Sequence, residues 1–166
     1  MTLLPLLIDV GTNLEEASGL LQYLLVFVFA AIPVIEILFV IPVAIGIGLN
    51  PVLTGVFAFA GNVASVYVLI LFQQRIANWW ASRRDAPPKE RSDRYARARR
   101  VWERYGLPGL SLGGVVLTGV HIAALVALAA GSRARDVAGW MTISIALWTV
   151  ALVVASMYGL SLLGLV

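Results

Sequence analysis

The chain contains no cysteine and a single histidine. Without thiols there is no disulfide, no thiol nucleophile and no thiolate metal site, and one histidine is too few to build a zinc centre from imidazoles. Charge is also scarce, at 13% of residues against 60% apolar, with a mean hydropathy of +0.91. A water-facing surface is not made from that composition, so the 166 residues read as an integral membrane protein. Asp, Glu, Lys and Arg are missing altogether from residues 17–35, 37–74, 105–132 and 137–166. Crossing about 30 Å of hydrocarbon takes about 20 helical residues, so this length allows four or five crossings at most and leaves no room for a large soluble catalytic domain. Residues 1–18 lack the positive stretch of a cleavable signal and carry Asp9, Glu15 and Glu16 instead. They are expected to stay on the mature chain as an extracytoplasmic segment.

What charge there is lies mostly in one place. Residues 75–104 hold ten Arg or Lys against four acids, so the formal net charge of +3 masks a net negative remainder. Beside a membrane, such a stretch reads as a topology determinant held in the cytoplasm rather than as a nucleic-acid site. Ala86-Pro87-Pro88 is a breaker, after which Lys89–Arg104 reads as a short polar helix with Glu90 facing Arg94 and Asp93 facing Arg97 at i,i+4 spacing. Residues 83–104 are therefore expected to form a basic cytoplasmic connector helix. It is either solvated or set with Arg94, Arg97, Arg99 and Arg100 against anionic lipid headgroups, where each surface-proximal Arg contributes roughly 1 kcal/mol.

The apolar blocks fall into two halves, 19–82 and 105–166, within a single membrane domain. Gly19–Leu49 would reach about 46 Å as one straight helix, too long for a simple span. Pro33 and Pro42 each remove a backbone donor, so breaks are expected near Ile32–Pro33 and Ile41–Pro42, with Gly46, Gly48 and Asn50-Pro51 marking a close-packed end and a turn. Val52–Phe72 has an ordinary transmembrane length, with Trp79 and Trp80 beyond it as an interfacial anchor. The second half begins at Tyr105-Gly106-Leu107-Pro108-Gly109, is interrupted at Gly113-Gly114 and Gly119, and ends in a clean block from Val137 onward. Glu36 to Asn50 has the same separation as Thr118 to Ser132, which suggests a degenerate repeat in that register. Paired interrupted segments are the pattern that points to a transporter site near the midplane.

If each interrupted block is a re-entrant hairpin, a cytoplasmic 75–104 puts the acidic N-terminus outside and Arg133 and Arg135 inside, in agreement with the positive-inside rule. Four plain spans also put 75–104 inside but leave that Arg pair outside. The hairpin arrangement is preferred.

Glu36 is the one charged side chain between Glu16 and Arg75. An ionised carboxyl at a helix centre in the bilayer costs roughly 2.5–3.5 kcal/mol, so a residue there is by default a functional candidate. Glu36 is the proton-coupling candidate, against the alternative of a permanently protonated, hydrogen-bonded carboxyl. His121 is the second ionisable group at membrane depth, either a packed ring or a proton relay. In the repeat register it falls one helical turn beyond the position equivalent to Glu36. Asn50, Asn62 and Thr118 are candidate cavity residues, with interhelical hydrogen bonding as the plainer role for Asn62. Pro33, Pro42, Gly46, Gly48, Gly113, Gly114 and Gly119 are the candidate hinges or helix breaks. No pair of acids, metal cluster or activated nucleophile lies at membrane depth, so neither an enzyme nor a metal or cofactor is expected.

The string from Ile35-Glu36 through Ile41-Pro42 and Gly46-Ile-Gly48 to Asn50-Pro51, with Gly61-Asn62 in the next helix and Arg104-Tyr105-Gly106 opening the second half, resembles the putative small multidrug export protein family. The resemblance covers about residues 25–160. Glu36, Pro42, Gly61 and Asn62 match by position, whereas Gly113-Gly114-Val115-Val116 stands where a Pro-rich turn is typical. That family is distantly similar to the DedA membrane proteins, which implies facing re-entrant hairpins and proton-linked movement of lipid-like or amphipathic solutes. No Arg lies near His121 in the membrane, unlike the lipid-phosphate sites of those relatives. The expectation is therefore a multi-pass cell-membrane protein, all-α, acting as a small proton-coupled transporter or flippase-like exporter and expected to dimerise. The rival is a non-transporting structural or anionic-lipid-binding protein.

Overall fold

The computed structural model describes residues 19–33, 35–82 and 93–162. The N-terminal segment 1–18 and residues 83–92 of the expected connector lie outside the described residues. Among the described residues there are six helices and no strand: α1 (Leu20–Ala31), α2 (Glu36–Gly46), α3 (Pro51–Ser82), α4 (Asp93–Leu117), α5 (Val120–Ala129) and α6 (Ala134–Leu162). The molecule is all-helical, as its composition suggested.

Local chemistry explains where most helices stop. Ile32 precedes Pro33, whose ring disfavours helical ψ in the residue before it, and Ile32 is extended at φ −77°, ψ 124°. The chain re-enters a helix at Glu36, whose N–H bonds the Ile32 carbonyl at 3.2 Å. The second break expected at Ile41–Pro42 is absent, because α2 continues through Pro42 to Gly46. Val40, Ile41 and Ala44 are fully buried around it, and packing of that stripe holds the helix where local propensity would end it. Gly48 then reverses the chain at φ 92°. Its N–H bonds the Ile45 carbonyl and that of Leu49 the Ala44 carbonyl, both at 3.0 Å, which makes the turn a Schellman motif.

The second half repeats this path. Gly131 also has φ 92°, its N–H bonds Leu128 at 3.0 Å, and that of Ser132 bonds Ala127 at 3.1 Å. Every partner lies 83 positions after its counterpart in the first half. Four buried residues of α5, Val120, Ala123, Ala124 and Ala127, likewise fall 83 positions after Ile37, Val40, Ile41 and Ala44 of α2. The geometric register therefore pairs Glu36 with Gly119 and Asn50 with Arg133, one residue beyond the register suggested by Thr118 and Ser132. Asn50 and Ser132 were matched by polarity, a weak guide among apolar neighbours. Turn geometry fixes the pairing instead. His121 consequently lies two residues past the Glu36 equivalent, not a full turn.

Gly113 and Gly114 do not interrupt α4. The interruption comes at Thr118–Gly119, where Gly119 adopts φ 89°, ψ 144°. Gly114 instead serves packing, since a Cβ there would lie 2.5 Å from the Ala123 Cβ of α5. The kink in α4 is at Gly106, φ 64° and ψ −160°, with Pro108 in the first turn of the following segment, where its missing N–H costs least.

The chain divides into two compact units, one ending at Ala64 and resuming at Ile145, the other running from Ser65 to Ser144. In the first, α1 and α2 form a helical hairpin whose exit returns to its entrance. The Asn50 N–H donates to the Tyr23 hydroxyl at 3.2 Å, and the Tyr23 and Phe57 rings lie 5.7 Å apart. Gly61 admits the Phe27 carbonyl so closely that any Cβ on it would collide with that backbone oxygen. In the second unit, the segment of α4 after Gly106 packs on α5.

Two helices carry stretches long and apolar enough to cross a membrane, Pro51–Gln73 and Ala134–Gly159, each with mean hydropathy 2.0. Only 33% and 28% of those stretches is buried. A core helix of a soluble protein would be mostly covered; here Val52, Leu71 and Val150 are among many large apolar side chains left outside. Oil, not water, suits that surface, and the protein is a membrane protein.

Candidate functional site

Glu36 opens α2 and shares its buried stripe with Ile37, Val40 and Ile41, spaced so that all four fall on one helical face. It is 4% exposed. It is also the one non-glycine residue with positive φ among the described residues, at φ 48°. Left-handed backbone costs an L-residue roughly 1–2 kcal/mol, which glycine would avoid. A carboxyl is thus held in the interior of the first unit at an unfavourable backbone conformation.

In the same unit, Asn62 is completely buried one residue after Gly61, the point where α1 comes closest to α3. Asn50, expected to line a cavity, has its side chain at the start of α3. Its Oδ1 accepts the N–H groups of Val52 at 3.0 Å and Leu53 at 3.1 Å, so it caps α3 ahead of Pro51 and is exposed. Two further buried polar groups in this unit, Thr54 of α3 and Thr149 of α6, have hydroxyls without a hydrogen-bond partner. Thr149 lines a groove of about 320 Å³ whose other walls include Pro51, Gly55, Phe59, Val150 and Val153. Neither Asn50 nor Asn62 nor Thr118 lines that groove.

In the second unit, His121 is buried at 3% exposure near the start of α5. Its Nε2 lies 2.7 Å from the Ser65 hydroxyl of α3. Thr118, expected to line a cavity, spends its hydroxyl locally, donating to the carbonyls of Gly114 at 3.2 Å and Gly119 at 3.3 Å across the helix break. Ser144 donates to the Ser111 carbonyl at 2.6 Å, and Ser111 to those of Leu107 and Pro108 at 2.9 and 3.0 Å. Both carbonyls lie one turn before Ser111 on the same helix.

Of the expected breaks, Pro33, Gly48 and Gly119 sit where the chain changes direction and Gly46 ends α2, whereas Pro42, Gly113 and Gly114 are helix-internal. Arg94, Arg97, Arg99 and Arg100 all lie in the polar first half of α4, which is helical from Asp93. Sequence reading missed Ser65, Thr54 and Thr149. A lone hydroxyl in an apolar helix carries no signal by itself. Ser65 follows Ala58, Gly61 and Asn62 at i, i+3, i+4, i+7 spacing, however, so the polar face of α3 was open to detection by period.

The family described as putative small multi-drug export protein matches residues 36–151 of this chain. Comparison with curated proteins and with solved structures finds no match.

Proposed function

The chain belongs to the family of putative small multi-drug export proteins, and from that premise we propose that it is a secondary transporter exporting amphipathic solutes in exchange for protons, with Glu36 as the coupling carboxyl. The observation that carries this reading is the placement of Glu36. A carboxyl buried in an apolar unit is seated at a backbone conformation that glycine would adopt at lower cost. Backbone outliers of this kind concentrate where a protein trades stability for chemistry. A carboxyl in a membrane segment is a group able to take up and release a proton, and alternation between those states is what proton coupling requires.

The architecture supports the same reading. α1 and α2 have 12 and 11 residues, about 18 and 16 Å of helix, short of the hydrocarbon thickness. Since the chain leaves this hairpin beside Tyr23, where it entered, we read it as re-entrant, with α3 making the crossing. The stretch of α4 beyond Gly106 and the ten-residue α5 form the counterpart, with α6 crossing back. A pair of broken segments in corresponding places is the arrangement that secondary transporters use around a substrate site. On this reading the basic first part of α4 is cytoplasmic, His121 is a second proton-exchanging group, and the groove beside Thr149 takes the apolar body of the solute. We include lipid-like molecules in the proposed solute class.

The test is reconstitution into liposomes with an imposed pH gradient and a fluorescent amphipathic cation as probe. Gradient-driven flux is expected for the unaltered protein and for Glu36→Asp, and is expected to fall to the level of empty vesicles for Glu36→Gln. Undiminished flux through Glu36→Gln would remove the coupling role.

A further inference from the structure

We propose that Ser65 is a positioning residue for His121, keeping the imidazole hydrogen-bonded and in one orientation whether the ring is neutral or charged. The inference rests on the reading of His121 as a proton-exchanging group and adds to it the residue that makes such exchange possible without loss of ring position. The starting observation is the 2.7 Å contact between the Ser65 Oγ and His121 Nε2, both in the Ser65–Ser144 unit.

The chemistry of the partner matters. A hydroxyl both donates and accepts, and its hydrogen rotates to suit. When Nε2 carries no proton, the Ser65 O–H donates to it; when the ring is charged, the Nε2–H donates to the Ser65 oxygen. A backbone carbonyl accepts only, so it holds the ring solely while Nε2 carries a proton, and an ammonium donates only, so it holds the ring solely while Nε2 carries none. Several other hydroxyls of this unit are committed to carbonyls: Ser111 to Leu107 and Pro108, Ser144 to Ser111, and Thr118 to Gly114. Ser65 has the His121 ring within hydrogen-bond distance.

Charge is sparse along the sequence on either side of both residues. Residues 37–74 of the chain, which include the stretch of α3 on either side of Ser65, have no Asp, Glu, Lys or Arg, and neither do residues 105–132, which include the end of α4 and all of α5. Tyr67, two residues on from Ser65, is hydrogen-bonded to Thr142 at 3.3 Å, and Arg135 and Asp136 stand at the start of α6. Buried as it is, the ring depends on its hydrogen-bond partners in each state.

The chain has one histidine, so ¹⁵N-histidine labelling of the full-length protein in lipid bilayers reports His121 alone. The unaltered protein and Ser65→Thr are expected to show a hydrogen-bonded Nε2 and a motionally restricted ring both above and below the ring's titration. Ser65→Ala is expected to lose the Nε2 hydrogen-bond shift in both states and to show averaged ring dipolar couplings, while Ser65→Cys, of similar volume and weaker hydrogen bonding, falls between. A Ser65→Ala spectrum that overlays the unaltered one in either state would overturn the proposal. Gradient-driven flux measured on the same variants tests the transport reading separately. An altered spectrum with unaltered flux leaves Ser65 as the positioning group and removes His121 from coupling.

Discussion

At the break in the first interrupted hairpin stands Glu36, with φ 48°; 83 positions on, at the break in the second, stands Gly119, with φ 89°. The same contrast runs along the helices that follow. The buried stripe of α2 is built from Ile37, Val40 and Ile41, whereas that of α5 is built from Val120, Ala123 and Ala124. Smaller side chains let α4 approach α5 until Gly114 meets Ala123, while in the first half the close approach is between α1 and α3, at Phe27 and Gly61. The backbone path is shared and the contents differ. The two positions perform the same geometric task, and only one of them holds an ionisable group.

Close approach offers the harshest test of the comparison. Gly61→Ala drives a methyl into a backbone carbonyl that has no rotamer to change, and a loss of about 3 kcal/mol or more is expected in reversible unfolding from detergent. Gly114→Ala also clashes, but with another methyl, at 2.5 Å. A loss of about 2 kcal/mol is expected, with partial recovery in the double variant Gly114→Ala/Ala123→Gly. If Gly61→Ala were rescued by a neighbouring substitution just as readily, the two approaches would be of one kind.

The break positions come next. Gly119→Ala places a side chain at φ 89°, ψ 144°, and a cost of about 1–3 kcal/mol is expected. The paired turn glycines should behave alike. Gly48 and Gly131 share φ 92° with open space where a Cβ would go, so each alanine variant should cost about 1 kcal/mol, the two agreeing within measurement. A large difference between them would show that one turn leans on something besides its torsions. The smallest effect concerns helix caps. Asn50→Ala removes the cap of α3 at a cost of about 1 kcal/mol, while its geometric counterpart Arg133 precedes α6 without that capping chemistry. Arg133→Asn is expected to gain a few tenths to about 1 kcal/mol, measured as a shift in the unfolding midpoint.

Breaks with a purely local cause were legible in the amino-acid order. Pro33 forces Ile32 to be extended and Gly48 with Asn50-Pro51 closes a turn, because each acts through its own backbone, whereas the kink at Gly106 lies where the sequence shows only the start of the second half. Pro42 and the Gly113-Gly114 pair misled for the opposite reason. Their effect depends on what packs around them, and buried neighbours held the helix through one while close contact with Ala123 accounts for Gly114. Glu36 and His121 were legible as candidates because an ionisable group in an apolar run is conspicuous. Their settings were not, since a left-handed φ and a serine from another helix leave no trace beside them in the chain. The one-residue error in the repeat has the same origin, as small apolar residues align in several registers and only hydrogen bonds choose among them.

Gly48 and Gly131 carry one further implication. Each chain reversal needs a hydrogen atom in place of a side chain and asks almost nothing of its neighbours, whose contribution is made through main-chain amides. Two letters are then enough to preserve a fold's internal duplication while the surrounding text is rewritten, so kinship between the halves of such proteins would outlast any resemblance in spelling and be found by comparing torsions.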